Sequence, residues 1–214
     1  MEYIISVLLG YLLGSIPTAY LVLMKSRGID ITETGSGNVG AMNSFEVTNS
    51  KLTGVIVLII DALKGFLSVY LVTLIYSGDF IYAALALIFS VFSHCFNPWL
   101  NFKGGRGLAT AAGGSVLIFP FMLVVWLILW VIVFIMKKDI LLSNIAATIL
   151  SLMVTFSSGN IAIKYTNPLP ESVPLLMLFT TSVLLIIFIK HIEPLKDLLK
   201  HLNQKKGNKN VEEL

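Results

Sequence analysis

Charge is scarce in this chain: Asp, Glu, Lys and Arg make up 13% of its 214 residues, against 56% apolar residues. That is too little polar surface to cover a water-soluble core, so a soluble globular domain is excluded and an integral membrane protein is implied. Cysteine is scarcer still. The single Cys95 excludes an internal disulfide and, beside His94, reads as a small buried apolar residue. One Cys and three His show no metal-ligand spacing, so no metal or other cofactor is expected. Also missing are a GxSxG nucleophile elbow, the GxxxxGK[ST] of a P-loop and a strand-led dinucleotide fingerprint. Trp99, Trp126 and Trp130 read as interfacial anchors and packing rather than a base-stacking surface, so no nucleic-acid partner is expected.

What remains is a set of apolar stretches near the roughly 20 residues that cross a bilayer. They run over 2–24, 53–76, 80–98, 140–158 and 172–190. The stretch 107–136 is too long for one span and is broken at Phe119-Pro120, because proline lacks a backbone donor and disfavours helix in the residue before it. A short helix at 107–118 and a full span at 120–137 follow. The expected architecture is all-α and polytopic, with seven transmembrane helices. Basic residues orient it, since cytoplasmic loops are enriched in Lys and Arg. With an extracytoplasmic N-terminus, the inner loops hold Lys25, Arg27, Lys51, Lys103, Arg106, Lys137 and Lys138, and the cytoplasmic C-terminus adds six more lysines from Lys190 onward. The outer turns at 77–79 and 119–120 hold none, and the loop 159–171 holds only Lys164. The first stretch lacks a basic n-region and a small-x-small cleavage pattern, so it is expected to be a span, not a cleaved signal.

Two glycine-rich loops fall on the inner face, GSGNVGAMNSF from Gly35 and NFKGGRGLATAAGG from Asn101. Small residues let backbone N–H groups converge on an anion, and a following helix N-terminus adds about half a positive charge. Lys103 and Arg106 flank Gly104-Gly105 and suit phosphate. Glycines at membrane ends also serve plain helix packing. Asp61 and Lys64 stand i, i+3 on one helix face, about 12 to 16 Å from its cytoplasmic end. They either line a substrate cavity or fix helix packing beneath it. His94, next to the second loop, fits a structural hydrogen bond or general-base work on a hydroxyl.

Taken in order, "LLGSIPTAYLV", "GIDITETGSGNVGAMN", "DALKG", "SHCFNPWLNFKGGRGLATAAGG" and "KHIEPLKDLL" resemble the bacterial acyl-phosphate:glycerol-3-phosphate acyltransferases of the PlsY type, over nearly the whole chain. The resemblance implies a seven-helix enzyme of the bacterial inner (plasma) membrane with its site facing the cytoplasm. It would move a fatty acyl group from acyl phosphate to the 1-hydroxyl of glycerol 3-phosphate, giving lysophosphatidic acid for phospholipid synthesis, with membrane lipid as its surroundings. An acyl phosphate is already activated, so the protein's tasks are to hold two phosphates, orient a hydroxyl and stabilise an oxyanion. By the same resemblance Gly35, Ser36, Gly37, Asn38, Gly40 and Asn43 bind substrate in the first motif. Lys103, Gly104, Gly105, Arg106 and Gly107 form the glycerol-phosphate motif, and His191 belongs to the third. Ser36, His94 and Lys103 are the expected catalytic residues. The other acyltransferase class carries His-x4-Asp, which is absent here: Trp99, Lys196 and Lys206 follow the three histidines at that spacing.

Four positions depart from the family pattern. Met42 stands where Thr is usual and Glu46 where Arg is usual, and in the third motif Pro194 and Asp197 replace Asn and Arg. Two expected cations have become anions, and a unit-charge pair at about 4 Å is worth about 4 kcal/mol at an effective dielectric near 20. If a helix opens near Gly40, Met42 and Glu46 share a face, as do Pro194 and Asp197. An acceptor with a neutral or cationic head group would suit that change, making the chain a diverged paralogue. A non-enzymatic binding or transport protein is the remaining alternative, though no pair of corresponding halves is visible. Residues 1–191 are expected to form the catalytic membrane domain. Pro194 should end the last span and open a surface helix, with Leu195, Leu198, Leu199 and Leu202 opposite Lys196, Lys200 and Lys205. The polar end, 203–214, reads as disordered.

Overall fold

A computed structural model describes residues 1–76 and 78–212, with 201–212 as backbone only. Among the described residues the chain is all helical and has no strands. Its helices are α1 (Glu2–Gly14), α2 (Thr18–Arg27), α3 (Ala41–Thr48), α4 (Lys51–Ile75), α5 (Phe80–Cys95), α6 (Leu108–Ile118), α7 (Pro120–Lys137), α8 (Ile140–Ala162) and α9 (Val173–Glu212). Six segments are long and apolar enough to cross a membrane, counting α1 and α2 together; α6 is shorter. Pro120 opens α7 where its missing N–H costs nothing, and Phe119 closes α6, as the sequence predicts.

α6 lies against α4 through glycine. A Cβ at Gly65 would overlap the Thr110 carbonyl, and one at Gly113 the Ala62 carbonyl, so the two backbones touch. This contact sets the short helix beside the buried Asp61 and Lys64. An apolar core of Val91, Leu87, Ile118, Phe119, Leu176 and Ile187 joins α5, α6 and α9.

The first span differs from expectation. It breaks at Ser15-Ile16-Pro17, between α1 and α2. A broken helix inside a membrane leaves carbonyls that hydrocarbon cannot satisfy. Here Asn97 Nδ2 donates to Ser15 O at 2.7 Å and Lys64 Nζ to Ile16 O at 2.7 Å.

The end of the chain differs too. Pro194 does not end a helix: α9 runs through it and stays helical to Glu212, which also overturns the disorder expected of 203–212. A proline inside a helix forfeits one N–H bond and crowds one carbonyl, a cost that long helices near membrane level absorb. Leu195 and Leu198 are half-buried beside exposed Lys196 and Lys200; Leu199 is exposed, and the side chains of Leu202 and Lys205 lie outside the described residues, as do residues 213–214 and Ser77 of the 77–79 turn.

Candidate functional site

The first glycine loop is shaped by one buried side chain. Asn43, 1% exposed, sits in the first turn of α3, which starts after Gly40 as expected. Its Nδ2 donates to Thr34 O and Asn38 O, each at 3.0 Å, and its Oδ1 accepts from Ser36 N at 3.0 Å. That is most of what an amide can offer, so Asn43 curls the loop 34–38 around itself. Gly35 and Gly37 take left-handed backbone, φ 63° and 68°. Ser36 is left exposed at the tip with its hydroxyl free of protein partners among the described residues.

The second loop docks onto the first. Val39 N donates to Gly104 O at 3.3 Å, and Gly105 N donates to His94 O at 3.1 Å. A Cβ on Gly105 would overlap His94 Nε2 and press on Val39 O, so only glycine lets the two loops and the imidazole meet here. Gly107, φ 82°, then turns the chain into α6. Lys103 is exposed and Arg106 half-buried. Burial lowers the Arg106 guanidinium from its ordinary range, while the Glu46 carboxylate nearby acts in the opposite sense. Arg106 is also within electrostatic range of His191. The structure therefore brings the loop of Gly35, Ser36, Gly37, Asn38 and Gly40 against the loop of Lys103, Gly104, Gly105, Arg106 and Gly107, joined through Val39 and Gly104.

Beneath the junction lies a charged cluster. Asp61, Lys64 and His94 are 2%, 4% and 6% exposed. Lys64 Nζ is 2.8 Å from Asp61 Oδ1, a charge contact without hydrogen-bond alignment, and 3.3 Å from His94 Nδ1. His94 Nδ1 is 3.9 Å from Asp61 Oδ1, too far for a hydrogen bond. The pair expected on one α4 face is thus real, and it reaches His94 and the α1–α2 break together.

His191 is placed differently. Its Nδ1 lies 2.8 Å from Ile187 O and its Nε2 3.4 Å from Asn144 Nδ2, while Asn144 Oδ1 accepts from Trp130 Nε1 at 2.7 Å. Both ring nitrogens are engaged inside the protein, and the residue is 1% exposed. Sequence reasoning missed Asn144 and Trp130 as its partners, although an Asn inside an apolar span was a visible signal. It also missed Asn97. Of the departed positions, Asp197 pairs with Lys200 at 3.8 Å on the surface, and Met42 lines an open groove with Phe45, Gly54, Val55 and Leu58 between α3 and α4.

An apolar cleft begins beside Gly107, at Leu108 and Ile187. It runs between α6, α7 and α9 to Phe119 and Phe179, with Ser115 and Thr180 among the few polar groups on its walls. The second glycine loop thus leads through Gly107 into Leu108, on the wall of this apolar cleft.

Residues 4–201 match the family model described as glycerol-3-phosphate acyltransferase. A relative from Wolbachia pipientis subsp. Culex pipiens, named glycerol-3-phosphate acyltransferase, is 32% identical and covers 96% of this chain and 99% of its own. One of the same name from Ehrlichia canis is 37% identical over 90% of this chain and 92% of its own. The crystal structure of PlsY, an integral membrane glycerol 3-phosphate acyltransferase, in its glycerol 3-phosphate form aligns with a TM-score of 0.76 at 28% identity over 94% of each chain. Its lysophosphatidic acid form aligns at 0.74 and 29% identity, over 94% of this chain and 93% of that one.

Proposed function

This chain belongs to the glycerol-3-phosphate acyltransferase family, and from that premise we propose how its own residues carry out the reaction. It is a membrane acyltransferase of phospholipid biosynthesis that acylates glycerol 3-phosphate to lysophosphatidic acid. The donor in our reading is acyl phosphate, with its chain in the cleft from Leu108 to Phe119 and its phosphate at the loop junction. The hydroxyl oxygen bonds to the acyl carbon, the acyl–O–phosphate bond breaks, and the hydroxyl proton leaves with inorganic phosphate.

The observation that carries this reading is the Val39–Gly104 contact. It joins two glycine loops that are far apart in sequence, and the second of them runs through Gly107 into Leu108 on the wall of the apolar cleft. Lys103 and Arg106 supply cationic donors for the two phosphates, and Ser36 and backbone N–H groups of the loops complete the cradle. Asn43 shapes the first loop rather than reaching into the cradle. His191 supports it from the α8–α9 side.

The loop charges support seven crossings with α6 as the short one, an extracytoplasmic N-terminus, and a site opening to the cytoplasm of the bacterial inner membrane. Residues 1–191 form the catalytic domain in this reading, and 192–212 a basic extension of α9 on the cytoplasmic side.

Purified protein in nanodiscs, given palmitoyl phosphate and labelled glycerol 3-phosphate, is expected to release lysophosphatidate and phosphate in equal amounts. Turnover with acyl-coenzyme A but none with palmitoyl phosphate would overturn the donor assignment. Donor consumption only with another acceptor would overturn the acceptor.

A further inference from the structure

We infer that His94 acts at this site as a fixed N–H donor, not as a base, and that Lys64 is the positioning residue that fixes it. The inference rests on the reading that the loop junction holds the donor's phosphate.

A lysine ammonium has three protons and no lone pair. Lys64 Nζ gives one proton to Ile16 O and lies 2.8 Å from the Asp61 carboxylate, its counter-ion. Its remaining neighbour is His94 Nδ1 at 3.3 Å. Two donors cannot share that contact, so Nδ1 must present its lone pair. The imidazole is then neutral with its proton on Nε2. Asp61 Oδ1, at 3.9 Å from Nδ1, is beyond hydrogen-bond reach and does not compete for a proton there.

Nε2 is the atom that a Cβ on Gly105 would strike, next to Val39 O. It has no protein partner among the described residues, and it is not among the sealed unpartnered atoms. A proton donor with no partner therefore faces the place where the two glycine loops meet. His191 holds the opposite tautomer. Its Nδ1–H is spent on Ile187 O and its Nε2 accepts from Asn144.

A general base needs a lone pair facing the substrate, and His94 offers a proton there instead. During acyl transfer negative charge grows on the acyl oxygen and on the departing phosphate, and a preset donor in a dry site stabilises it without reorganising. No proton changes owner at His94 in this step.

The test uses full-length protein labelled with 15N-histidine in nanodiscs, without substrate. Two-bond 15N–1H correlations report the tautomer of each ring, and His94 is assigned by its disappearance in His94→Gln. His94 is expected with its proton on Nε2 and His191 with its proton on Nδ1; in Lys64→Met, His94 should lose its single tautomer. In turnover assays, His94→Gln keeps an amide N–H near the Nε2 position and should stay within about 10-fold of the parent kcat. His94→Asn has no donor there and should fall about 10²- to 10³-fold, the usual loss for one such donor. Lys64→Met should lower kcat about 10-fold or more with KM for both substrates little changed. An Nδ1 proton on His94 in the parent protein overturns the inference, as does a His94→Gln variant as inactive as His94→Asn with its spectrum otherwise intact. Failure of the parent protein to use palmitoyl phosphate counts instead against the proposed reaction, and the spectrum still decides the tautomer.

Discussion

His94 and His191 are equally hidden, at 6% and 1% exposure, yet their surroundings are built to opposite ends. Around His191 every hydrogen-bonding group is spent: Trp130, Asn144, the ring and Ile187 O form a closed chain across α7, α8 and α9. Around His94 the chain is open. Lys64 fills one nitrogen from below, and the other faces the loops. A buried polar group with both sides satisfied holds helices together, whereas one left open at a glycine-lined junction can meet a ligand. Burial alone does not distinguish the two, and hydrogen-bond completeness does.

The comparison breaks most severely at Gly105. In Gly105→Ala the new methyl has nowhere to go but into the His94 ring and Val39 O, which must separate the loops. kcat/KM for lysophosphatidate formation should fall about 10³-fold, close to 4 kcal/mol of transition-state stabilisation. Thermal unfolding should move little, because the change sits in a loop rather than between α4 and α6. A large drop in Tm with normal specific activity of the surviving fold would show that the junction is scaffold and not site.

Asn144→Leu tests the other side and should give the reverse pattern. It orphans Trp130 Nε1 and His191 Nε2 in a buried setting, a loss of about 2–6 kcal/mol at about 1–3 per abandoned group. Scanning calorimetry or a thermal aggregation assay in detergent should show a clear fall in Tm, while KM and kcat of the folded protein stay within about threefold. If instead KM for glycerol 3-phosphate rises at unchanged Tm, His191 reaches the acceptor and the closed chain is part of the binding site.

These contrasts also mark what the chain's letters reveal. Apolar length and Pro120 suffice to place α4 to α8 within a few residues, and the glycine loops announce themselves by composition. The i, i+3 spacing of Asp61 and Lys64 correctly put them on one face. Nothing local announces that Lys64 also reaches Ile16 and His94, because those contacts span 48 and 30 residues of sequence and depend on how α1, α4 and α5 pack. The break at Ser15–Pro17 hid inside an apolar stretch, since hydropathy does not register a missing backbone bond. Pro194 misled in the other direction, because a helix anchored by the packing of α9 against its neighbours outweighs one lost N–H.

The smallest effects separate the two departures of the first motif. Met42 and Glu46 share the exposed side of α3, but their neighbours differ. Met42, 46% exposed, lines the apolar groove against α4, whereas the Glu46 carboxylate is felt by Arg106. If Arg106 holds a phosphate as proposed, an anion near its guanidinium competes with the substrate's own charge, so Glu46→Gln should lower KM for glycerol 3-phosphate. Because Glu46 is exposed and screened, the gain should be only about two- to fivefold, in line with about 0.5–1 kcal/mol for surface charge pairs. It should shrink as ionic strength rises and the screening length falls below about 8 Å. Met42→Thr should leave KM unchanged within error, since its side chain contacts apolar groove and not the loops. In the double substitution Met42→Thr with Glu46→Arg, the whole change in KM should therefore trace to position 46. An equal shift from Met42→Thr alone would mean that α3 presents its exposed face to the acceptor, and that the two departures act as one.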